Sequence, residues 1–188
     1  MKEIRYFPAG SAELRTLNEK PMIVGYAAVF NSLSNDLGGF REMIQPGAFT
    51  DTLAAGADVR ALIDHDPSLI IGRSKAGTLS LKQDDTGLLA EIMPPDTTVG
   101  RDVTENLRLK NLDGMSFAFC VVEDAWSIAD GETIRELIRV ELFDVSVVSY
   151  PAYPDTSVAL RSLDAWKQAE FDPARYMLLK RKLALSTI

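Results

Sequence analysis

Among 188 residues there is one cysteine, Cys120, and one histidine, His65. A single cysteine excludes an internal disulfide framework and any thiolate zinc cluster. A single histidine excludes metal sites of the two- or three-histidine kind. No apolar run approaches the roughly 20 residues that span a bilayer. The opening MKEIRYFPAGSAEL also lacks the apolar stretch of a signal peptide, so a reducing cytoplasm is the expected compartment. Neither G-x-x-x-x-G-K-[ST] nor G-x-G-x-x-G occurs, which leaves a nucleotide-binding fold without support. The acidic turns at Asn35-Asp36 and Asp84-Asp85 lack the ligand spacing of a calcium loop. Basic residues are outnumbered by acidic ones, 20 to 27: the net charge is −7, with residues 161–188 carrying +3 and the body 1–160 carrying −10. An acidic body argues against direct nucleic-acid binding, which needs clustered cations on phosphate.

Hydrophobic residues make up 46% and charged residues 25%, enough apolar surface for one soluble domain with a packed core. Most of the body reads as short strands. Met22–Phe30 is apolar and partly β-branched, and Phe40–Ile44 alternates before the Pro46-Gly47 stop. Ala48–Ala55 reads as a short helix and Val59–Ile63 as a strand ending in polar residues. Three further strands are expected in LIIGRS, GTLSLKQ and GLLAEIMP. The period then changes: Val99, Val103, Leu107 and Lys110 fall at helical spacing, with Thr97 or Thr98 as N-cap. Met115–Asp124 returns to period two, with Met115, Phe117, Phe119 and Val121 on one face and Ser116, Ala118 and Cys120 on the other. Thr133–Tyr150 reads as one or two more strands. The organisation expected is a mainly β domain over 1–160 and a helical basic tail over 161–188. In that tail Asp172-Pro173 starts a helix striped by Tyr176, Leu179 and Leu183.

Three residues carry possible chemistry. His65 stands in Asp64-His65-Asp66-Pro67, where a strand gives way to a turn. By itself it is also what a surface histidine flanked by carboxylates looks like. Ser116, in Gly114-Met115-Ser116-Phe117-Ala118, has an outward likeness to the G-x-S-x-G elbow, but the period-two pattern runs straight through it and no strand-to-helix turn is present. Asp144 lies in Leu142-Phe143-Asp144-Val145-Ser146-Val147, where a carboxylate amid apolar residues is costly unless paired. On an ideal strand it shares a face with Leu142 and Ser146, and Glu141 shares the other face with Phe143. Edge protection by an inward-pointing charge is the plain structural alternative. Cys120, Trp126 and Trp166 read as packing residues.

Taken in order, a set of blocks resembles one family over roughly residues 22–160. The blocks are Gly25-Tyr26-Ala27, Val29-Phe30-Asn31, Gly39-Phe40-Arg41-Glu42 and Pro46-Gly47-Ala48-Phe49. Then come Val59-Arg60-Ala61-Leu62 with His65-Asp66-Pro67, Gly72-Arg73, Gly77-Thr78-Leu79 and Pro95-Asp96-Thr97. The last are Met115-Ser116-Phe117-Ala118-Phe119, Asp144-Val145-Ser146-Val147-Val148 and Pro151-Ala152-Tyr153-Pro154. The chain is similar to the tailed-phage prohead (capsid maturation) serine proteases, relatives of the herpesvirus assemblins. Two positions depart from the family's habit around the serine. Asn111 follows Lys110 where glycine is common, and Ala118 stands where glycine is frequent. The relatives' arginine-containing oxyanion loop has no match around Pro151–Asp155.

The resemblance implies a small, mostly antiparallel β-barrel with flanking helices, of the herpesvirus-protease type. It implies a serine endopeptidase with His65 as base, Ser116 as nucleophile and Asp144 as the third member, Glu141 being the alternative acid. No cofactor or metal is implied. The implied partners are the major capsid protein, its scaffold segment and other copies of the chain, which cleaves itself. The implied setting is the host cytoplasm, inside the assembling prohead, with no membrane. The tail would dock to scaffold or shell, or be removed by self-cleavage. The rival is a catalytically silent assembly module with the same barrel, which would have no need of His65.

Overall fold

A computed structural model describes residues 2–7, 12–149 and 156–171, with Met177 and Lys180. The domain is mainly β with flanking helices, and its strands pair mostly antiparallel. One sheet, curled into a half-barrel, runs β1 (Lys2–Phe7), β9 (Gly114–Ala129), β10 (Glu132–Val148), β5 (Arg60–Ile63) and β6 (Asp66–Arg73), with β4 (Arg41–Ile44) also paired to β10. The other runs β2 (Ala12–Leu17), β3 (Lys20–Val29), β8 (Gly87–Ile92) and β7 (Leu79–Gln83). Among the described residues, only the pairings of β10 with β4 and β5 are parallel.

Period-two alternation builds the core between the sheets. Met115, Phe117 and Phe119 of β9 point inward to meet Ile23 and Ala27 of β3 and Ala90 and Ile92 of β8, all fully buried. Burying a phenylalanine side chain stabilises the fold by about 1.5–3 kcal/mol, and Phe117 stacks on Phe119 with ring centres 4.8 Å apart. The helix α2 (Thr98–Arg108) closes one side with Val103 and Leu107. Its start is fixed by the Thr97 hydroxyl, which accepts from the Gly100 N–H.

The helix α1 (Thr50–Ala54) packs on β10, where the Thr52 hydroxyl donates to the Val140 carbonyl. The helix α3 (Thr156–Phe171) begins before residue 161, so the domain boundary expected there falls inside a helix. Leu163 of α3 is buried with Leu37 and Phe40, and Trp166 stacks on Trp126 at 5.7 Å. The expected stripe of Tyr176, Leu179 and Leu183 lies outside the described residues.

Two strands at the N-terminus have no counterpart in the sequence reading. In β1 the inward positions are Glu3 and Arg5, both buried, so its buried face is charged and the apolar alternation that marks a strand is missing.

Candidate active site

The side chains of Ser116, His65 and Asp144 reach one place from two strands and a turn. β9 lies between β1 and β10, and Ser116 faces Tyr6 on one side and Ser146 on the other. Directly opposed residues share a face, so Ser116 and Ser146 point away from the core that Met115, Phe117, Val145 and Val147 fill.

Asp144 is brought to that face by a bulge. The β9–β10 register shifts between Leu142, opposite Phe119, and Asp144, opposite Ala118, so Phe143 is an extra residue. Leu142 therefore points into the core while Asp144 emerges beside Ser116. This corrects the ideal-strand expectation that Leu142, Asp144 and Ser146 share a face. It also places Glu141, opposite Cys120, on the Ser116 face rather than the other. Glu141 is nonetheless exposed and sits farther along the strand, whereas Asp144 is buried.

His65 is the second residue of the two-residue turn that joins β5 to β6. Asp64 and His65 have φ of 48° and 58°, the left-handed pair that a type I′ hairpin turn requires. A non-glycine residue held there costs on the order of 1–3 kcal/mol, and the surroundings must fix it. The end of β10 does so. The Asp64 N–H donates to the Val147 carbonyl at 3.0 Å, and the His65 N–H donates to the Ser146 hydroxyl at 3.2 Å. The Asp64 carboxylate accepts from the N–H and the hydroxyl of Ser149 at 2.8 and 2.9 Å.

Held this way, the imidazole lies between its partners. Nδ1 is 2.5 Å from Asp144 Oδ1, and Nε2 is 2.6 Å from Ser116 Oγ. Ser146 Oγ is 3.2 Å from Nδ1 and 3.4 Å from Asp144 Oδ1. The other carboxylate oxygen, Oδ2, accepts from Lys2 Nζ at 2.7 Å. Burial opposes ionisation of Asp144, but the hydrogen bonds from His65 and Lys2 outweigh it and hold the carboxyl below its usual range.

The Ser116 hydroxyl has one proton and two acceptors in reach: Nε2 and the Arg5 carbonyl at 2.8 Å. When the hydroxyl donates to the Arg5 carbonyl, Nε2 must itself be the donor to Oγ. When it swings to Nε2, the imidazole is placed to receive it. Ser146, Lys2 and the Arg5 carbonyl were not singled out from the sequence. The shared face of Asp144 and Ser146 was the available signal for the first.

Among the described residues no group of three or more His, Cys, Asp or Glu side chains could hold a metal ion. No helix among them is long and apolar enough to cross a membrane.

The family model described as caudovirus prohead serine protease matches residues 10–169. No curated protein matches the chain. Among solved structures, the bacteriophage T4 capsid assembly protease, gp21, superposes with a TM-score of 0.51 at 11% identity, over 80% of this chain and 98% of that one. That likeness is one of fold. With a family match that spans most of its length, the chain belongs to the caudovirus prohead serine proteases.

Proposed function

We propose that the chain is a serine endopeptidase in which Ser116 is the nucleophile, His65 the base and Asp144 the acid that orients it. Its substrates are the scaffold, or the scaffold-like segment of the major capsid protein, and the chain itself. The work is done inside the assembling prohead, in the host cytoplasm. The observation that carries this reading is the unbroken line from Ser116 Oγ through both ring nitrogens to Asp144, at 2.6 and 2.5 Å.

The chemistry follows from that line. His65 Nε2 takes the hydroxyl proton as Ser116 Oγ attacks the peptide carbonyl, and the imidazolium formed is stabilised by Asp144 through Nδ1–H. The same proton then passes to the leaving amine, and water, deprotonated by His65, releases the acyl group from Ser116. Asp144 stays ionised throughout, in keeping with a carboxyl held low by its hydrogen bonds. A silent module would have no use for a strained turn that aims a ring at a buried serine.

The test is proteolysis of a fusion of major capsid protein and its scaffold segment by the full chain. Cleavage by the wild type and a loss of at least about 10⁴-fold in Ser116→Ala and His65→Ala is expected. Undiminished cleavage by Ser116→Ala would contradict the assignment.

A further inference from the structure

Lys2 is the outermost charged contact of the site, and the proposed mechanism gives it no part. It stands on β1 opposite Cys120, one row along the sheet from Ala118, which is opposite Asp144. Its side chain is 47% exposed, yet its ammonium ends 2.7 Å from a carboxylate that is only 5% exposed. Glu141, across Cys120 in the same row, is a second carboxylate within the strand frame, but the lysine meets Asp144. We propose that Lys2 is a positioning residue of this site: its ammonium holds Asp144 Oδ2 and so turns Oδ1 to the imidazole. The inference rests on the triad reading above.

Asp144 shares its charge between Lys2 and His65. Asp144 stabilises the imidazolium with its full negative charge only when nothing else draws on it. A cation on Oδ2 draws on it, and removing that cation should return the charge to the Oδ1 contact with the ring. Among the described residues, the other charges around His65 are engaged elsewhere. Asp64 accepts from Ser149, Asp66 accepts from Ser68, and Arg60, opposite Asp144 on β5, pairs with Asp58 at 3.6 Å. Asp144 aside, the side chains that β9 and β10 add at the ring, Ser116 and Ser146, are uncharged, and Tyr6 is the titratable residue of β1 opposite Ser116.

The test uses the fact that His65 is the sole histidine, so one set of imidazole signals reports on it. Ring titration by NMR is followed in the full chain as wild type, Lys2→Arg, Lys2→Gln and Lys2→Glu, with amide spectra recording that each is folded. The midpoint should move up by about half a pH unit in Lys2→Gln, farther in Lys2→Glu, and stay at the wild-type value in Lys2→Arg. The acid limb of cleavage should move with it, a loss of about threefold below the midpoint in Lys2→Gln. A merely structural lysine would not order the variants by charge. Coincident titrations of wild type, Lys2→Gln and Lys2→Glu, or a shift in Lys2→Arg as large as in Lys2→Gln, would overturn the proposal. Loss of cleavage in Ser116→Ala with coincident titrations rejects Lys2 alone. Retained cleavage in Ser116→Ala rejects the triad and the place of Lys2 in it.

Discussion

The two faces of the curled sheet carry two buried polar clusters that meet at β1, and they are built on opposite principles. On the inner face Arg5 and Arg135 are surrounded by Glu3, Glu42 and Asp124, and Lys180 closes the set on Asp124. Three cations answer three anions. Arg5 grips both oxygens of Glu42 at 2.6 and 2.9 Å, and Arg135 lies over the Trp126 ring, 5.4 Å from its centre. Burial works against the Arg135 charge, but its three carboxylate partners outweigh that and push its pKa up. On the outer face a single hydroxyl proton has two acceptors, and a single histidine stands between a serine and a carboxylate. The inner cluster has one satisfied arrangement. The outer one has two, separated by the swing of a proton. Saturated charge holds structure still, and a surplus of acceptors leaves chemistry to be done.

The comparison breaks first, and most visibly, at Asp144. Asp144→Asn removes the charge that steadies the imidazolium, and cleavage of the capsid–scaffold fusion should fall on the order of 10³–10⁴-fold. Glu141→Gln, on the same face but exposed, should stay within about twofold of wild type. Equal losses in the two variants would mean that the acid is misassigned.

The inner cluster should fail differently. Arg135→Met leaves Glu3, Glu42 and Asp124 facing one another without their shared cation, and stability should drop by about 3–5 kcal/mol in urea unfolding. A change under about 1 kcal/mol would show that the cluster contributes little.

Acid sharpens the contrast between a bound carboxylate and a free one. Asp144 and Asp124 are both held below the ordinary aspartate value of 3.8; burial is outweighed at Asp144 by the hydrogen bonds from His65 and Lys2, and at Asp124 by Arg135 and Lys180. The unfolded chain therefore binds protons first as pH falls. The stability these two groups contribute is complete above about pH 4 and is lost progressively below it. Urea midpoints measured from pH 6 to pH 2.5 should decline only at the acid end, and by less in Asp144→Asn. A smaller effect than at Asp144 is expected at Ser146, whose hydroxyl accepts from the His65 N–H. Ser146→Ala should slow cleavage by roughly tenfold and cost about 1 kcal/mol, both readable in the same assays.

Much of this was legible in the residues. The alternation of Met115, Phe117 and Phe119 against Ser116 and Ala118 gives β9 and its two faces, and Thr97 marks the start of α2. His65 and Ser116 stood out through their rarity and through the family's blocks. The bulge at Phe143 was not legible. Nothing in Leu142-Phe143-Asp144 announces an extra residue, so strict alternation put Asp144 on the face of Leu142 and Glu141 on the opposite one. β1 was hidden for a related reason: charges that satisfy one another inside, as Glu3 and Arg5 do with Glu42 and Arg135, erase the apolar period. With β1 went Lys2 and the Arg5 carbonyl, the two contacts at the site that no motif carries.

The division of labour between the clusters is tested most directly by cleavage rate per folded molecule, measured on one capsid–scaffold fusion for Arg135→Met and Asp144→Asn side by side. Arg135→Met, at a temperature where it remains folded, should cleave within about threefold of wild type, while Asp144→Asn, fully folded, should cleave at least about 10³-fold more slowly. Rates that fall together in the two variants would contradict the account and make the two faces one machine.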